Sequence, residues 1–382
     1  EIKECDWSSD VCSSDLARLA RPRAGLKLFY RAPAPETGES FLSRPDDPPN
    51  QLFLFSYGRL TTMDEKTIRT LEYPRIREIL SGYAAFSASA ALALALEPTN
   101  DIDIAKAAQA RTTEARRLLS LISDFSVGGA RDVRELVEKA RRSGVLQPTE
   151  LLDIRGTLSS GRQIYRTFER RSEDFPQLTL LTSRLDPPAG IIDSITHAIS
   201  DQAEVRDNAS DRLQSIRKEI RIAYDRLLNR LQRYLSDPKT ALLLQEPLIT
   251  QRGGRYVIPL QADFKGRIEG IVHDQSGSGS TLFIEPLAVV ELNNRYHELQ
   301  LAERDEILRI LAALSAEVGR EAAQIIQMVG ALAELDLALM CAKYAEDIHA
   351  VEPVLLPFNS ATEDHPGSTT RSYKARHPPL HP

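Results

Sequence analysis

The spacing of hydrophobic residues changes within residues 248–286, from the three- and four-residue steps of helices to the alternation of strands. Two runs rich in β-branched and aromatic residues, 248–250 and 255–258, flank Gln251-Arg252-Gly253-Gly254, whose glycines favour a hairpin turn. Two further apolar runs, 268–272 and 281–284, are separated by the turn-forming sequence Ser276-Gly277-Ser278-Gly279-Ser280. The pattern therefore predicts a small β module inserted between helices.

Long helices are predicted on both sides of the module. Before it, Asn208 and Ser210 offer N-cap oxygens, and apolar residues then recur at helical steps, at Leu213, Ile216, Ile220, Ala223, Leu227, Leu231 and Tyr234. After it, Pro286 suits a first helical turn, and a second seam runs through Val289, Leu292, Tyr296, Leu299, Ile307, Ile310, Leu314 and Val318. We expect this second helix to continue through residues 331–345 and to be ended by Pro353 and Pro357.

These two helices predict a lever that carries the module. A helix of about 30 residues is about 45 Å long, so two antiparallel helices would hold the module far from the rest of the protein. An ordinary helical hairpin with a decorated tip is the alternative interpretation.

The pattern over residues 63–204 predicts a body of helices joined by short loops, with breaks at Gly128-Gly129 and Ser143-Gly144 and a loop at residues 186–190. Asp101 and Asp103 suggest a metal site, but carboxylates at a helix start are favoured by the helix dipole and explain the pair more simply. The predicted fold class is therefore mainly α, with a small inserted β module.

Composition narrows the class of protein only slightly. Hydrophobic residues make up 42% and charged residues 27% of the chain, which is typical of a protein that forms a core. The net charge of −6 gives no global nucleic-acid signature, so nucleic-acid binding would require a local basic patch. We find no apolar run of membrane-spanning length, since the longest, residues 84–95, is mostly alanine and indicates a buried helix.

The first 62 residues have a different character from the rest. Residues 6–16, DWSSDVCSSDL, have the form of a translated sequencing adapter, and residues 17–62 are aperiodic and rich in proline and arginine. We expect residues 1–62 to be an assembly artefact or a disordered extension. Cys5 and Cys12 fall in this segment, which leaves Cys341 as a lone thiol on an apolar helix, without a disulfide framework or zinc spacing.

Catalytic patterns are weak in this chain. Ser276, His273 and Asp274 suggest a hydrolase, but there is no GxSxG sequence, and neighbouring strand residues are expected to point to opposite faces. His377 and His381 have metal-ligand spacing, yet the prolines between them prevent the helix that would align them. No glycine is followed by lysine, which excludes a GxxxxGK[ST] phosphate-binding loop from this chain.

Phosphate binding by the β module is the stronger candidate. The glycine-serine loop offers backbone N–H groups and the hydroxyls of Ser276, Ser278 and Ser280, although a plain strand connection explains its spacing equally well. Basic residues in or beside the module favour the phosphate interpretation, namely Lys239, Arg252, Arg255, Lys265 and Arg267. Tyr256 and Phe283 alternate with aliphatic residues and are predicted to be core rather than base-stacking residues. We therefore expect a weak, sequence-independent duplex clamp, which two copies in a dimer would strengthen.

The same segments carry a resemblance to a known family. The sequences VRDNAS (205–210), RYVIP (255–259), GIVHDQS (270–276), TLFIEP (281–286) and VELNN (290–294) resemble the second bacterial MutS family, a paralogue branch of endonucleases and recombination suppressors. The resemblance runs from about Met63 to the end of the chain. In that family these segments form the lever helices and DNA clamp of the MutS core.

The resemblance implies a division of the chain and a function. The implied regions are a helical core (63–207), an outgoing lever helix (208–238), a β clamp (239–286), a returning lever helix with core (287–352), a linker (353–374) and the first residues of a truncated ATPase domain (375–382). Arg376, His377 and Pro378 resemble the start of the family's adenine-binding region. The whole protein would be a dimeric cytoplasmic ATPase and endonuclease, associated with the nucleoid, that uses ATP and Mg²⁺, binds branched or duplex DNA and suppresses recombination. The fragment itself is expected to bind no cofactor, to cut no DNA and to contact no membrane.

Two other functions fit the same residues. Members of the family are also linked to splitting collided ribosomes, so the clamp could hold ribosomal RNA instead of DNA. The long helices could also serve as a scaffold that binds a protein partner, with the basic turns merely solvated.

Overall fold

The computed structural model describes residues 65–357. The predicted leader, the linker beyond residue 357 and the nucleotide-binding candidates Arg376, His377 and Pro378 lie outside the described residues. The described elements are α1 Glu65–Thr70, α2 Tyr73–Ser81, α3 Ser87–Leu94, α4 Ile102–Leu121, α5 Arg134–Arg141, α6 Pro148–Glu169, α7 Pro176–Thr182, α8 Ile191–Ala198, α9 Asp211–Ser236, α10 Pro238–Ala241, β1 Thr250–Arg252, β2 Arg255–Gln261, β3 Gly270–Gln275, β4 Thr281–Pro286, α11 Leu287–Arg320 and α12 Ala322–Asp347. The predicted fold class, mainly α with a small inserted sheet, is confirmed.

The helical body is built around α12. Its side chains Ile325, Leu332 and Leu339 are fully buried, and helices α3, α4, α5 and α7 pack against it. At the corner between α6 and α7, Phe168 and Phe175 meet edge to face with ring centroids 6.1 Å apart. One apolar cluster joins these helices to α6, α8 and the near part of α11.

Helix α12 is long and apolar enough to cross a membrane by length and composition, so the expectation that no such segment exists was wrong. In the structure, 67% of its apolar window is buried inside the protein. A core helix passes the same test, and the central position of α12 in the body accounts for its hydrophobicity.

The second long helix is interrupted and ends earlier than predicted. It breaks at Glu321, close to Gly319, where an added Cβ would lie only 2.7 Å from the carbonyl oxygen of Ala140. After Asp347, His349 adopts a positive φ of 51°, and the N–H of Ala350 donates to the carbonyl of Ala345 at 2.7 Å. This left-handed cap ends α12 before Pro353 is reached, so the prolines are not the cause.

Helices α9 and α11 form the predicted antiparallel pair. Contacts join residue 210 to 306, 217 to 303 and 224 to 296, so one number rises as the other falls. Ser210 caps α9 by accepting a hydrogen bond from the N–H of Leu213 at 3.0 Å. With 26 residues, α9 is about 39 Å long. We call this pair the lever.

The sheet at the end of the lever has four antiparallel strands in the order β1-β2-β4-β3. The predicted hairpin turn is present, with positive φ at Gly253 (56°) and Gly254 (79°). Ile258 pairs with Ile284 and Leu260 with Leu282, which places one apolar row on the face toward the lever. Strand β3 forms an outer edge and is exposed along its length.

Candidate nucleic-acid interface

The β module, residues 239–286, is fixed to the tip of the lever by an apolar cluster. Three tyrosines, Tyr224, Tyr256 and Tyr296, meet where sheet and helices join, with ring centroids 5.6 to 5.8 Å apart. The buried members of the cluster are Leu227, Leu231, Leu244, Ile258, Leu260, Ile268, Leu282, Ile284 and Val289. Each such side chain contributes roughly 1.5–3 kcal/mol when fully buried, so the module is anchored on the helices.

A second attachment is polar and centres on Glu285. This side chain is 0% exposed and accepts hydrogen bonds from Arg255 Nη1 at 2.9 Å and Asn293 Nδ2 at 2.8 Å. His273 Nε2 lies 2.6 Å from the other carboxylate oxygen. Asn293 also bonds both the N–H and the carbonyl of Tyr256, each at 3.0 Å. We call Arg255, His273, Glu285 and Asn293 the polar joint, because together they tie β2, β3 and β4 to α11.

The contact of His273 follows from a bulge in β3. The register shifts between Val272 and Asp274, so His273 turns toward Glu285 while Asp274 pairs with Arg252. The two neighbouring residues therefore bind separate partners, His273 the carboxylate of Glu285 on β4 and Asp274 the guanidinium of Arg252 on β1. His273 is held by a structural carboxylate.

Two of the predicted phosphate ligands have partners within the protein. Arg255 donates to Glu285 and, through Nη2, to Asn294 Oδ1 at 2.6 Å. Arg252 Nε lies 3.2 Å from Asp274 Oδ2, and its guanidinium carbon lies 4.1 Å from the ring centroid of Phe283. Phe283 is thus covered by Arg252 on the outer face rather than placed in the apolar cluster.

The other three predicted cations are not engaged in this way. Lys239, Lys265 and Arg267 are exposed, and their side chains form no hydrogen bond or ion pair with any residue in 65–357. Lys265 directly follows the short helical turn Ala262–Phe264. The N–H of Ala262 donates a hydrogen bond to the carbonyl oxygen of Ser280 at 2.9 Å. This bond brings the turn before Lys265 next to the serine loop.

The serine loop, residues 276–280, is held by its own hydroxyls. Ser276 Oγ accepts from the N–H of Thr281 at 3.0 Å and lies 3.3 Å from Ser278 Oγ, which is 2.8 Å from Ser280 Oγ. Gly279 has a φ of 77° and donates to the carbonyl of Ser276 at 2.8 Å. Within the described part of the chain, the N–H groups of Gly277, Ser278 and Ser280 have no acceptor. The loop can therefore offer both N–H and O–H donors to an anion.

A further basic row was missed in the sequence. Arg226, Arg230 and Arg233 lie at helical i, i+4 and i+7 positions on one side of α9, exposed and without side-chain partners among residues 65–357. Their spacing was a readable signal, because residues three and four apart share a helix face. The row leads along the lever toward Lys239.

Charge at the interface is local rather than general. The β module contains equal numbers of acidic and basic residues. Two of its acids form ion pairs within the module, Asp274 with Arg252 and Glu285 with Arg255. A module with balanced charge exerts little long-range attraction on a nucleic acid, so a phosphate would be held only by individual side chains.

Metal ligands are not assembled in this part of the chain. Between residues 65 and 357, no group of three or more His, Cys, Asp or Glu side chains could hold an ion. Asp101 instead caps α4 by accepting hydrogen bonds from the N–H groups of Asp103 and Ile104, at 2.9 and 3.1 Å, and Asp103 lies in the first turn. The interpretation of the pair as carboxylates at a helix start is confirmed.

Comparison with known proteins gives one consistent result. The chain is 40% identical over 323 residues to the protein named Endonuclease MutS2 of Thermomicrobium roseum, which covers 83% of this chain and 40% of that protein. It is 40% identical to the Symbiobacterium thermophilum protein of the same name over 77% of this chain and 37% of the relative, and 39% identical to that of Pelotomaculum thermopropionicum over the same shares. No family model matches the chain. The relatives support the MutS2 family, and the chain spans about two fifths of their length.

Proposed function

We propose that this chain, a homologue of proteins named Endonuclease MutS2, forms the core, lever and DNA clamp of a MutS-type DNA-binding protein. The core would comprise residues 63–207, the outgoing lever helix 208–238, the clamp 239–286, and the returning helix with core 287–352. The observation that carries the proposal is a β module attached to the tip of a lever and presenting three exposed cations, Lys239, Lys265 and Arg267, whose side chains have no partner in the described range 65–357.

The clamp would hold the phosphodiester backbone rather than the bases. Lys265 and Arg267 would neutralise phosphate charge, while Gly277, Ser278 and Ser280 would donate backbone N–H groups from the adjacent loop. Arg252 and Arg255 would act indirectly, by shaping the module through Asp274 and the polar joint. Because no exposed ring of the module is free to stack on bases, binding would be independent of sequence.

The activity of a whole protein of this kind would depend on regions like those that the relatives have beyond this match. We propose that it is a cytoplasmic, nucleoid-associated dimer that binds branched DNA, uses ATP with Mg²⁺, cuts DNA and suppresses recombination. The described residues do not fit a bound Mg·ATP, because they offer neither a Gly-Lys phosphate loop nor an assembled acidic metal site. This chain's own contribution would be binding and geometry.

Ribosomal RNA is the second candidate ligand, because the same cations and N–H donors recognise any phosphodiester backbone. A protein distinguishes RNA from DNA through contacts to the 2′-hydroxyl or to exposed bases. The module has no aromatic platform of the kind that RNA-binding sheets use, because Phe283 is covered by Arg252.

The test is the salt dependence of binding to a four-way junction, a duplex DNA and a ribosomal RNA fragment. Three phosphates neutralised at the clamp contribute about −2.7 to the slope of log affinity against log salt, which is about 40-fold in affinity between 50 and 200 mM salt. In the triple variant Lys239→Ala, Lys265→Ala, Arg267→Ala the slope is expected to be shallower than in wild type by about 2.7.

A matched control removes the same charge from the body. Lys106, Arg142 and Arg320 are likewise exposed and without side-chain partners in residues 65–357, so their triple alanine variant should keep the wild-type slope. Equal slopes for the two triple variants would contradict the proposed clamp. Salt-insensitive binding of a protein partner, with no nucleic-acid binding, would favour the scaffold instead.

A further inference from the structure

The C-terminal half of α6 carries a second row of arginines, far along the chain from the clamp. Arg162, Arg166 and Arg170 recur at four-residue steps and line one shallow groove of about 440 Å³ with Ser159, Gln163 and Thr167. Every side chain that lines this groove is basic or polar and can donate a hydrogen bond. Residues four apart on a helix rise by about 6 Å, so the three arginines extend over about 12 Å.

These arginines have no side-chain partner among the residues that the structure describes. The side chains of Arg162, Arg166, Arg170 and the neighbouring Arg171 form no hydrogen bond or ion pair in the described range 65–357. Arg155, on the same helix, shows the contrast, because its guanidinium binds Asp201 at 2.7 Å. Acidic residues are present nearby, at Glu169 and Glu173, yet neither is paired with the row.

The helix dipole alone does not account for this row. A cation near a helix C-terminus is stabilised only within the last turn, whereas Arg162 lies two turns before the end at Glu169. In a chain of net charge −6, four arginines without an ion pair to any described residue make this a local positive patch.

We propose that Arg162, Arg166 and Arg170 form a second phosphodiester-binding site on the helical body, separate from the clamp. Guanidinium groups are suited to this ligand, because each presents paired N–H donors that match the geometry of a phosphate. Measured along the axis of a duplex, about 12 Å corresponds to about three to four phosphates of one strand, at 3.4 Å of axial rise each. The site therefore binds the backbone of a nucleic acid and reads no sequence.

The proposal is tested by replacing Arg162, Arg166 and Arg170 with glutamine in the full chain, with and without the clamp substitutions. Glutamine keeps helix propensity and polarity. We expect the slope of log affinity against log salt to become shallower by about 2.7, so that affinity at 50 mM salt relative to 200 mM falls by about 40-fold compared with wild type. The loss should occur in both backgrounds, which separates it from failure of the clamp.

The control is the triple glutamine variant of Lys106, Arg142 and Arg320, which removes the same charge from the same body. Binding is measured with duplex DNA and with duplex RNA of equal length. A shallower salt slope with one or both of them shows which nucleic acid the α6 site binds. The same slope and affinity for the α6 variant and its control, with both ligands, would overturn the proposal. Matching thermal unfolding midpoints confirm that neither variant is misfolded.

Discussion

Replacing Glu285 with alanine should loosen the clamp from the lever. The carboxylate is fully buried and receives hydrogen bonds from Arg255 and Asn293, with His273 at 2.6 Å. A hydrogen bond to a charged group contributes about 1.5–3 kcal/mol, and Glu285→Ala removes two of them, one from Arg255 and one from Asn293. We therefore expect Glu285→Ala to lower the local stability of the sheet by about 3 kcal/mol or more.

Hydrogen exchange of backbone amides is the suitable assay, because it reports the free energy of local opening in the sheet alone. A loss of about 3 kcal/mol accelerates exchange about 100-fold in β3 and β4. Helix α12 in the body should be unaffected. The matched control is Glu269→Ala, which removes an exposed acid from the same module, one without a side-chain partner in residues 65–357.

A double-mutant cycle separates the ion pair from the rest of the joint. If Arg255 and Glu285 are coupled, the double alanine variant should lose clearly less free energy of local opening than the sum of the losses in the two single variants. Unchanged exchange in β3 and β4 of Glu285→Ala, or an equal effect of Glu269→Ala, would refute the assignment of the polar joint as the attachment of the clamp.

The remaining predictions concern the body and the lever base. Gly319→Ala should destabilise the protein by about 1–3 kcal/mol in denaturant unfolding, since its Cβ would lie 2.7 Å from a backbone carbonyl oxygen, whereas Gly330→Ala in open space should stabilise it by about 0.5–1 kcal/mol. Burial raises the pKa of Asp336. Its contribution to the free energy of unfolding is therefore fully present below an ordinary pKa of about 3.9 and is lost as pH rises through the raised value. Asp336→Asn should remove this loss of stability, and the same loss in the variant would show that another group causes it. Hydrogen bonding to Arg309 lowers the pKa of Glu306 to about 2. The contribution of Glu306 to the free energy of unfolding is therefore fully present above about pH 4.3 and is lost as pH falls through about 2. Acid unfolding should therefore be less steep in Glu306→Gln than in wild type, and equal steepness would contradict this assignment.

Local rules predicted much of this fold because many of its signals are local. Ser210 is an N-cap whose bond reaches only three residues, and Gly253-Gly254 forms a turn between adjacent strands. The apolar seams of α9 and α11 face each other because helical spacing places their residues on one side. Such features depend on a few neighbouring residues and can be read directly.

The candidate site was less predictable, because its geometry depends on residues far apart in the chain. Arg255 is separated by 30 residues from Glu285, and only the folded sheet shows that its charge is used internally. The bulge that redirects His273 has no signal in the sequence around it, and the cap at His349 uses a residue other than glycine. Exposed cations could be listed from the sequence, but which of them lack partners could not.

The most direct test of the account is where bound nucleic acid touches the chain. A photoreactive aromatic amino acid at position 277 would lie in the serine loop, where a Cβ added to Gly277 would meet nothing within 4 Å. The same group at Ile104, which is 53% exposed on α4 of the body, is the control. With a labelled four-way junction or duplex DNA, we expect crosslinking from position 277 and only background from position 104. Crosslinking from position 104 alone, or equally from both, would contradict the assignment of residues 239–286 as the DNA clamp.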